Sequence, residues 1–573
     1  MTSAQLGQGQ QASTAARTGR MNKEVFGVFG DRETFADHRD DEEFHTVVAT
    51  DRLTVGVRDP ALGVPGRTSV AETEDGGCVV WGEAFTPDDV DATPAEWVLN
   101  RFATAGREAV EGLNGSYLAV VADADDAVVA VDPLRSWECF YTDELGVRAF
   151  GTDLTALRSL LGELTTRRRS VLEFLHVGTV LGDATLFEEI ERVPFDGYLH
   201  ADDVGEYRRF VYDPQPGDHA TELAERLTRA IDRRGDYPGR AGLLLSAGQD
   251  SRTILAGTPE IEHSYTIGQA GSQEVDVARK LAEQYGSEHT ALEPDDRYLR
   301  ADAEKIQYTQ GLRESLHIHH AGFDDLLDVD VVYHGLLYDT LFKGYFLERE
   351  SYDLVGVEVP TTRLAAEVDP VDSLLDTLGF MPTGSRQLAE RVDGLLEGFD
   401  REALALDDPR AFLEERLTEE LARCESRADS VHNMMDLVVL RNQPVLHFRT
   451  HLADNYLESF VVSDRELLQW HLETPPEQRH DTTLDAALAE MDRSMFEHRP
   501  PARPYRSELA NQIQRFARRK LPLVPAIEPA WPDREGLYDD HALDDHFFPD
   551  HQSVRGLPAR QKLRVNDLRW WLD

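Results

Sequence analysis

The residues best suited to chemistry stand together in Leu243-Leu244-Leu245-Ser246-Ala247-Gly248-Gln249-Asp250-Ser251-Arg252. An apolar run typical of a buried strand feeds into a turn of small residues. Thr253-Ile254-Leu255-Ala256 then reads as a helix that stops near Gly257 and Pro259. A strand, a tight turn and a helix N-terminus present backbone N–H groups and the positive end of the helix dipole to an anion. The hydroxyls of Ser246 and Ser251 can donate to phosphate oxygens. The Asp250 carboxylate would repel phosphate unless Mg²⁺ bridges the two. The turn therefore reads as a site for a magnesium-bound polyphosphate. Taken alone, it can equally be an ordinary strand-to-helix turn.

The run Ser-x-Gly-x-Asp-Ser after a hydrophobic strand resembles the PP-loop of the ATP pyrophosphatase superfamily, which holds the pyrophosphate released when ATP adenylates a substrate. No Gly-Lys-Thr/Ser follows, so it is not a Walker loop. The resemblance implies ATP and Mg²⁺ as cofactors, with Ser246, Gly248, Asp250 and Ser251 at the nucleotide and Asp250 also at the metal.

The surrounding elements must hold this turn. Ala220 to Ile231 carries apolar residues at Leu223, Leu227 and Ile231, a helical spacing. Ser264 to Gly268 reads as a second parallel strand. Gln273 to Tyr285 reads as a helix with Val275, Ala278, Leu281, Ala282 and Tyr285 on one face, and Glu288-His289-Thr290 begins a third strand. Strands alternating with helices predict a doubly wound parallel sheet with its cleft beyond the strand C-termini. This block resembles the C-terminal domain of asparagine synthetases. There the main chain at Ile267 lines the adenine pocket, and Leu245 borders the nucleotide. Ile267 is equally readable as strand core.

Val331 to Tyr333 is a further strand, followed by His334-Gly335-Leu336-Leu337-Tyr338-Asp339-Thr340-Leu341-Phe342-Lys343-Gly344-Tyr345. This is similar to the family's Ser-Gly-Glu-Gly-x-Asp-Glu-x-x-x-Gly-Tyr loop. Gly335, Asp339, Gly344 and Tyr345 match, while Leu336 and Thr340 stand in place of the two glutamates. The resemblance implies His334 and Gly335 at the nucleotide and Asp339 as the acid of this loop able to hold a second Mg²⁺; Asp339 and, from its place four residues on, Lys343 are the candidate catalytic residues. Asp339 can instead cap a helix. Lys343 can pair with Asp339, neutralise phosphate, or be a surface lysine. Upstream, His317 and His319 would share one face if extended, which leaves a metal or substrate role open for the His317, His319 and His320 cluster.

The N-terminal third is a series of short strands with turns: Phe26 to Gly30, Cys78 to Glu83, Tyr117 to Ala122 and Ala127 to Val131. Leu113-Asn114-Gly115-Ser116-Tyr117 and Phe150-Gly151-Thr152-Asp153-Leu154-Thr155-Ala156-Leu157 resemble later motifs of the class II glutamine amidotransferase domain. Val171 to Leu175, Thr185 to Phe187 and Val193-Pro194 resemble its closing segment. The implied fold is a four-layer α/β/β/α sandwich of the Ntn-hydrolase type. That family's catalytic cysteine falls at Phe26, its oxyanion asparagine at Trp81 and its glutamine-anchoring acid at Pro94. The resemblance therefore implies a remnant domain without glutamine hydrolysis.

Past about residue 345 the resemblance thins. Val461-Val462-Ser463-Asp464 keeps only the acid of a Pro-Phe-x-Asp signature, and Pro475 to Arg479 matches a Leu-Pro-x-x-x-Lys/Arg step. The family's late lysine has no counterpart before Lys520, leaving Arg493, Arg499, Arg503 or Arg506 to meet transition-state charge. Arg503 to Lys520 is locally basic, and Trp570-Trp571-Leu572 is expected to pack back on the protein or on a partner. The expected organisation is a flexible leader over 1–24, with Met21 as an alternative start. An amidotransferase-like domain over 25–210, a synthetase-like domain over 218–500 and a C-terminal extension over 501–573 follow.

Composition narrows the setting. The formal net charge is −47, with 106 acidic against 59 basic residues, of which only six are lysines. Acidic chains that favour Arg over Lys resemble proteins of salt-loving archaea, where salt screens the self-repulsion. Such a charge disfavours nucleic acid as a partner. Cys78, Cys139 and Cys424 lie far apart, which suggests a reducing compartment and no metal-type spacing. No apolar run is long enough for a membrane span, and a cytoplasmic location is expected. A homodimer is one assembly the sequence allows. The implied reaction is ATP-dependent amide formation between a small carboxylate and an amine or ammonia. The competing reading is a nucleotide-binding scaffold descended from the enzyme.

Overall fold

The computed structural model describes residues 20–258, 260–353, 358–381, 387–443, 445–505, 510–511, 513–514 and 529–573. Arg506, Lys520 and most of the 1–24 segment lie outside the described residues. The fold is mixed α/β, with two antiparallel sheets ahead of one parallel sheet.

The first antiparallel sheet has the order β10-β8-β9-β1-β3-β2. It contains β1 (Glu24–Val28), β2 (Thr46–Ala49), β3 (Thr54–Arg58), β8 (Phe140–Thr142), β9 (Ala149–Gly151) and β10 (Glu191–Arg192). The second has the order β12-β11-β7-β6-β5-β4, from β4 (Ser69–Glu72), β5 (Gly77–Phe85), β6 (Asn114–Ala122), β7 (Ala127–Val131), β11 (Gly197–Leu199) and β12 (Val204–Glu206).

Strand alternation sorts the side chains into layers. Val25, Val55, Val79, Trp81, Val120 and Val129 meet between the two sheets. Phe26 and Val28 face the other way, onto Leu172 and Leu175 of the helix Arg168–Val177. Val80, Ala119 and Val121 face Val98 and Phe102 of the helix Pro94–Ala105. Helix, sheet, sheet and helix give the four layers. The helix Pro94–Ala105 starts where a capping box is complete, with Thr93 as N-cap and Glu96 bonding back; Pro94 supplies its first turn.

The leader does not reach residue 24. Met21, Lys23 and Glu24 are buried, Glu24 opens β1, and the Lys23 N–H donates to Asp454 Oδ1 at 2.7 Å. Four polar side chains hold this stretch: Asp454 for the backbone, Asp59 for the Lys23 ammonium at 3.2 Å, and Arg39 with Arg58 for Glu24.

The parallel sheet has the order β15-β14-β13-β16-β19, from β13 (Ala241–Leu244), β14 (His263–Ile267), β15 (Glu288–Leu292), β16 (Val331–Tyr333) and β19 (Leu457–Ser459). All four of its pairings are parallel. Its two faces are both covered. Leu243 and Tyr333 pack with Leu227, Ile254 and Leu281 of the helices His219–Asp232, Gln249–Gly257 and Gln273–Tyr285. Tyr265, Leu292 and Val332 pack with Phe323 and Leu452 on the other face. The order reverses between β13 and β16, which is where an open parallel sheet forms its ligand crevice. A hairpin of β17 (Arg349–Asp353) and β18 (Glu358–Leu364) follows.

The C-terminal helix Ala559–Leu572 packs back on the protein, with Trp571 fully buried and its Nε1 donating to Thr309 at 3.0 Å. Among the described residues no helix is long and apolar enough to cross a membrane. The three cysteines are buried and unpaired.

Candidate functional site

The loops that follow β13 and β16 flank the switch point, and they carry the two motifs. Leu245 continues β13: its N–H donates to the Tyr265 carbonyl at 2.8 Å, and its own carbonyl accepts from Thr266 Oγ1 at 2.7 Å. Leu245 is thereby tied to β14, whose last residue is the half-buried Ile267. Both residues named for the nucleotide base lie at adjoining strand ends.

Ser246 to Gly248 form a small knot. The Ser246 N–H donates to Ser251 Oγ at 2.9 Å, the two serine hydroxyls lie 3.2 Å apart, and the Gly248 N–H donates to Ser246 Oγ at 3.1 Å. Gly248 is the N-cap of the helix Gln249–Gly257 and makes no side-chain cap, so first-turn N–H groups remain for a ligand. An oxyanion already uses this loop: Glu274 Oε1 accepts from the Ala247 N–H at 2.8 Å. The donor set therefore fits a phosphate chain.

Arg252 was missed by sequence reasoning. It is fully buried and donates to the loop carbonyls of Ala247 and Gly248, the latter at 2.8 Å, and to the Met495 carbonyl at 2.7 Å. By holding these carbonyls it fixes the backbone of the turn that leads into the helix Gln249–Gly257. Burial pushes its guanidinium down to about 10, still charged at neutral pH. Only the rarity of a buried arginine without a carboxylate partner could have signalled this, and burial is not visible in the sequence.

The second loop presses on the first. A Cβ on Gly335 would lie 2.7 Å from Asp250 Cβ and 3.1 Å from the Ser251 nitrogen, so only glycine fits there. Leu337 adopts φ +67° although it is buried and bulky. It stands where the resembled motif has glycine, and the conformation costs about 1 kcal/mol or more. Leu337 is the N-cap of the helix Tyr338–Lys343, so Asp339 sits in the first turn and is not the cap.

The acids of the two loops are joined by Lys343. Its Nζ lies 2.7 Å from Asp250 Oδ1 and also pairs with Asp339 Oδ1. Burial pushes the Asp250 carboxyl above its usual range, against the pull of Lys343. Burial alone would lower the Lys343 ammonium, but Asp250 and Asp339 carry it above its ordinary value. The expected metal ligands thus already share a cation. Among the described residues no group of three or more His, Cys, Asp or Glu is placed to hold a metal ion. This arrangement does not fit a divalent ion between Asp250 and Asp339.

His334 points its imidazole at Glu458 of β19, Nε2 to Oε1 2.8 Å, and Glu458 is held by Arg449 at 2.9 and 2.8 Å. Its Nδ1 accepts from the Leu336 N–H at 3.3 Å, so His334 shapes the loop from behind. The site's outer wall is the helix Asp481–Met491: Gln249 donates to Asp485, and Arg503 pairs with Asp481. Of the described arginines named for transition-state charge, Arg503 is tied to this wall by an ion pair with Asp481. Arg499 stacks on Phe496 at 5.1 Å. Arg479 is buried with Asp436, at 2.5 Å, and Asn433.

The histidine run is not extended. Ser315–His317 is a 3₁₀ turn, His317 pairs with Glu314 at 3.2 Å, and His319 packs against Trp531 and Phe448.

In the N-terminal layers, Phe26 packs on Phe35 with ring centres 5.6 Å apart, and Trp81 packs on Trp137 at 4.4 Å. Lys23 Nζ lies over both tryptophans, at 5.2 and 5.3 Å. The cavity they leave, shared with Met21, Thr152, Gln310 and Asp454, is about 20 Å³, the space of a single water.

Residues 222–482 match the family model described as asparagine synthase. No curated protein matches the chain. Among solved structures, the chain is similar to the allosteric regulatory enzyme of purine biosynthesis, at 9% identity over 48% of this chain and 80% of that one, with a TM-score of 0.20. It is also similar to the glutamine phosphoribosylpyrophosphate amidotransferase from B. subtilis complexed with ADP and GMP, at 10% identity over 63% and 84%, with a TM-score of 0.18. Both loops of the site, from Ser246 to Lys343, lie inside the stretch similar to asparagine synthase.

Proposed function

We propose that this protein is an ATP-dependent amide-forming ligase. A carboxylate oxygen attacks the α-phosphorus of ATP, the bond to the bridging oxygen breaks, and an acyl-adenylate and pyrophosphate result. A nitrogen nucleophile then displaces AMP from the acyl carbon. The observation that carries this reading is the Ser246–Ser251 loop at the switch point of a parallel sheet, with its carbonyls held by Arg252 and the first turn of the helix Gln249–Gly257 free of a side-chain cap. Loop N–H groups and the Lys343 ammonium would stabilise the charge building on the departing pyrophosphate. The asparagine synthase family uses ATP, generally with Mg²⁺. Asp250 and Asp339, joined by Lys343, leave no place for that ion between them.

We take the nitrogen source to be ammonia or a free amine. Phe26 offers no nucleophile, and the close Trp81–Trp137–Lys23 packing beside a cavity of about 20 Å³ supports this choice. One feature favours a second reading, a nucleotide-binding scaffold: Leu336 and Thr340 replace both loop glutamates.

Pyrophosphate exchange into ATP, measured in concentrated KCl across a panel of small carboxylates, separates the two. Exchange with one carboxylate is the expected result. ATP binding without exchange on any of them would leave the scaffold. Glutaminase activity in the pure protein would overturn the choice of nitrogen source.

A further inference from the structure

The two carboxylates expected to hold metal come from different loops. Asp250 follows β13, and Asp339 lies in the helix after β16. What joins them is the ammonium of Lys343, at the end of that helix. The Lys343 and Asp250 side chains are 13% and 19% exposed, so that pair is shielded from water and salt more than a surface pair would be, while Asp339 is half exposed. Lys343 is also one of only six lysines in a chain that otherwise uses arginine. An ammonium is a compact point charge with three donors that can reach between two acids, which a planar guanidinium does less well. A divalent ion at the same place would need several oxygen ligands and would meet this positive charge at contact distance.

We infer that Lys343 is the built-in cation of this site. In the nucleotide-free protein its ammonium holds the β13 and β16 loops together through Asp250 and Asp339 and excludes divalent ions from the position between them. When a polyphosphate arrives, the same ammonium is within reach of it, so Lys343 is a positioning residue that exchanges carboxylate for phosphate partners. This deepens the proposed function, since it assumes that the site receives a polyphosphate, but its central claim concerns the empty protein and is tested without nucleotide.

The probe is Mn²⁺, followed by electron paramagnetic resonance and calorimetry on the full chain in concentrated KCl, which suppresses loose binding to the acidic surface. Lys343→Ala should gain one Mn²⁺ site per chain, at least about tenfold tighter than any in the unsubstituted protein. Lys343→Ala combined with Asp250→Asn should lose it. If Lys343→Ala does not fold, as judged by circular dichroism, Lys343→Met keeps the apolar stem and is held to the same outcome. A Mn²⁺ site in the unsubstituted protein that Asp250→Asn abolishes would overturn the inference. So would the absence of any gain in the folded Lys343 variant. Neither result touches pyrophosphate exchange, so failure here is distinguishable from failure of the ligase reading.

Discussion

At the scale of single residues, the loop works because its polar backbone is divided between two sides. Arg252 takes the carbonyls of Ala247 and Gly248 and fastens them to the Met495 carbonyl. Arg252→Met keeps much of the apolar stem but leaves three carbonyls without their donor. Unmet buried groups cost on the order of 1–3 kcal/mol each before relaxation or water entry. The expected result is a loss of stability of roughly 2–4 kcal/mol and a nucleotide Kd raised by about tenfold or more, read by denaturant unfolding and by calorimetric titration. A folded variant that binds ATP as tightly as before would show that the clamp does not set the loop. Ser246, Gly248, Asp250 and Ser251 could be picked out from sequence because their pattern is local. Arg252 stands in the same run and could not, since its meaning depends on Met495, far along the chain. The same holds for Lys343. Its pairing with Asp339 is a helical neighbour relation that spacing suggests, whereas its contact with Asp250 requires the two loops to be side by side.

At the scale of elements, alternation was the informative signal. Strand stretches such as Cys78 to Glu83 and Ser264 to Gly268 could be placed because period-two or continuous apolar runs report burial directly. The 3₁₀ turn at Ser315–His317 was not legible: a short run of mixed residues has no period, and this one is shaped by Asp567 from the C-terminal helix. Asp567 accepts from the Ser315 N–H at 2.7 Å and from its Oγ at 2.8 Å. Arg560 and Arg564 of the same helix hold Glu314 beside it. Burial pushes the Asp567 carboxyl up to about 7. In the unfolded chain it ionises near about 4. Between these values the folded state keeps a proton that the unfolded state releases, so stability falls as pH rises from about 4 to about 7 and is level above. Asp567→Asn removes this term. Between about pH 5 and pH 8 the unsubstituted protein should lose roughly 2–3 kcal/mol more than the variant, measured by urea unfolding at both pH values. Equal losses would mean that Asp567 is ionised in the folded protein across this range.

At the scale of the whole molecule, the two halves are joined by buried ions rather than by an apolar seam alone. Glu83, on β5 of the N-terminal layers, accepts from Arg234 at 2.8 Å, from Tyr237 at 2.8 Å and from Ser459 of β19 at 2.9 Å, with Arg67 at 3.7 Å. Arg234 reaches on to Asp464 at 2.9 Å, which Asn114 also contacts at 3.0 Å. Burial raises the Glu83 carboxyl, but Arg234 and Arg67 outweigh it and hold the group below its ordinary range. Glu83 stands two residues after Trp81, and Asp464 is the acid kept from the Pro-Phe-x-Asp signature; the structure uses both to hold the halves together. A chain with a formal charge of −47 gains from such pairs: each buried acid that meets an arginine is removed from the repulsive surface field, and salt screens what remains. The pair is costly to break from one side, because the partner charge stays buried; truncating one member typically costs about 3–5 kcal/mol. In concentrated KCl, calorimetry of the unsubstituted protein should show the N-terminal layers and the parallel sheet unfolding in one transition. Glu83→Ala, which leaves Arg234 and Arg67 without their shared acid, should split it, with one half melting several degrees earlier. Two separate transitions before any substitution, or an unchanged profile after it, would place the cohesion of the halves elsewhere, in the Lys23–Asp454 and Arg449–Ser136 contacts that cross the same boundary.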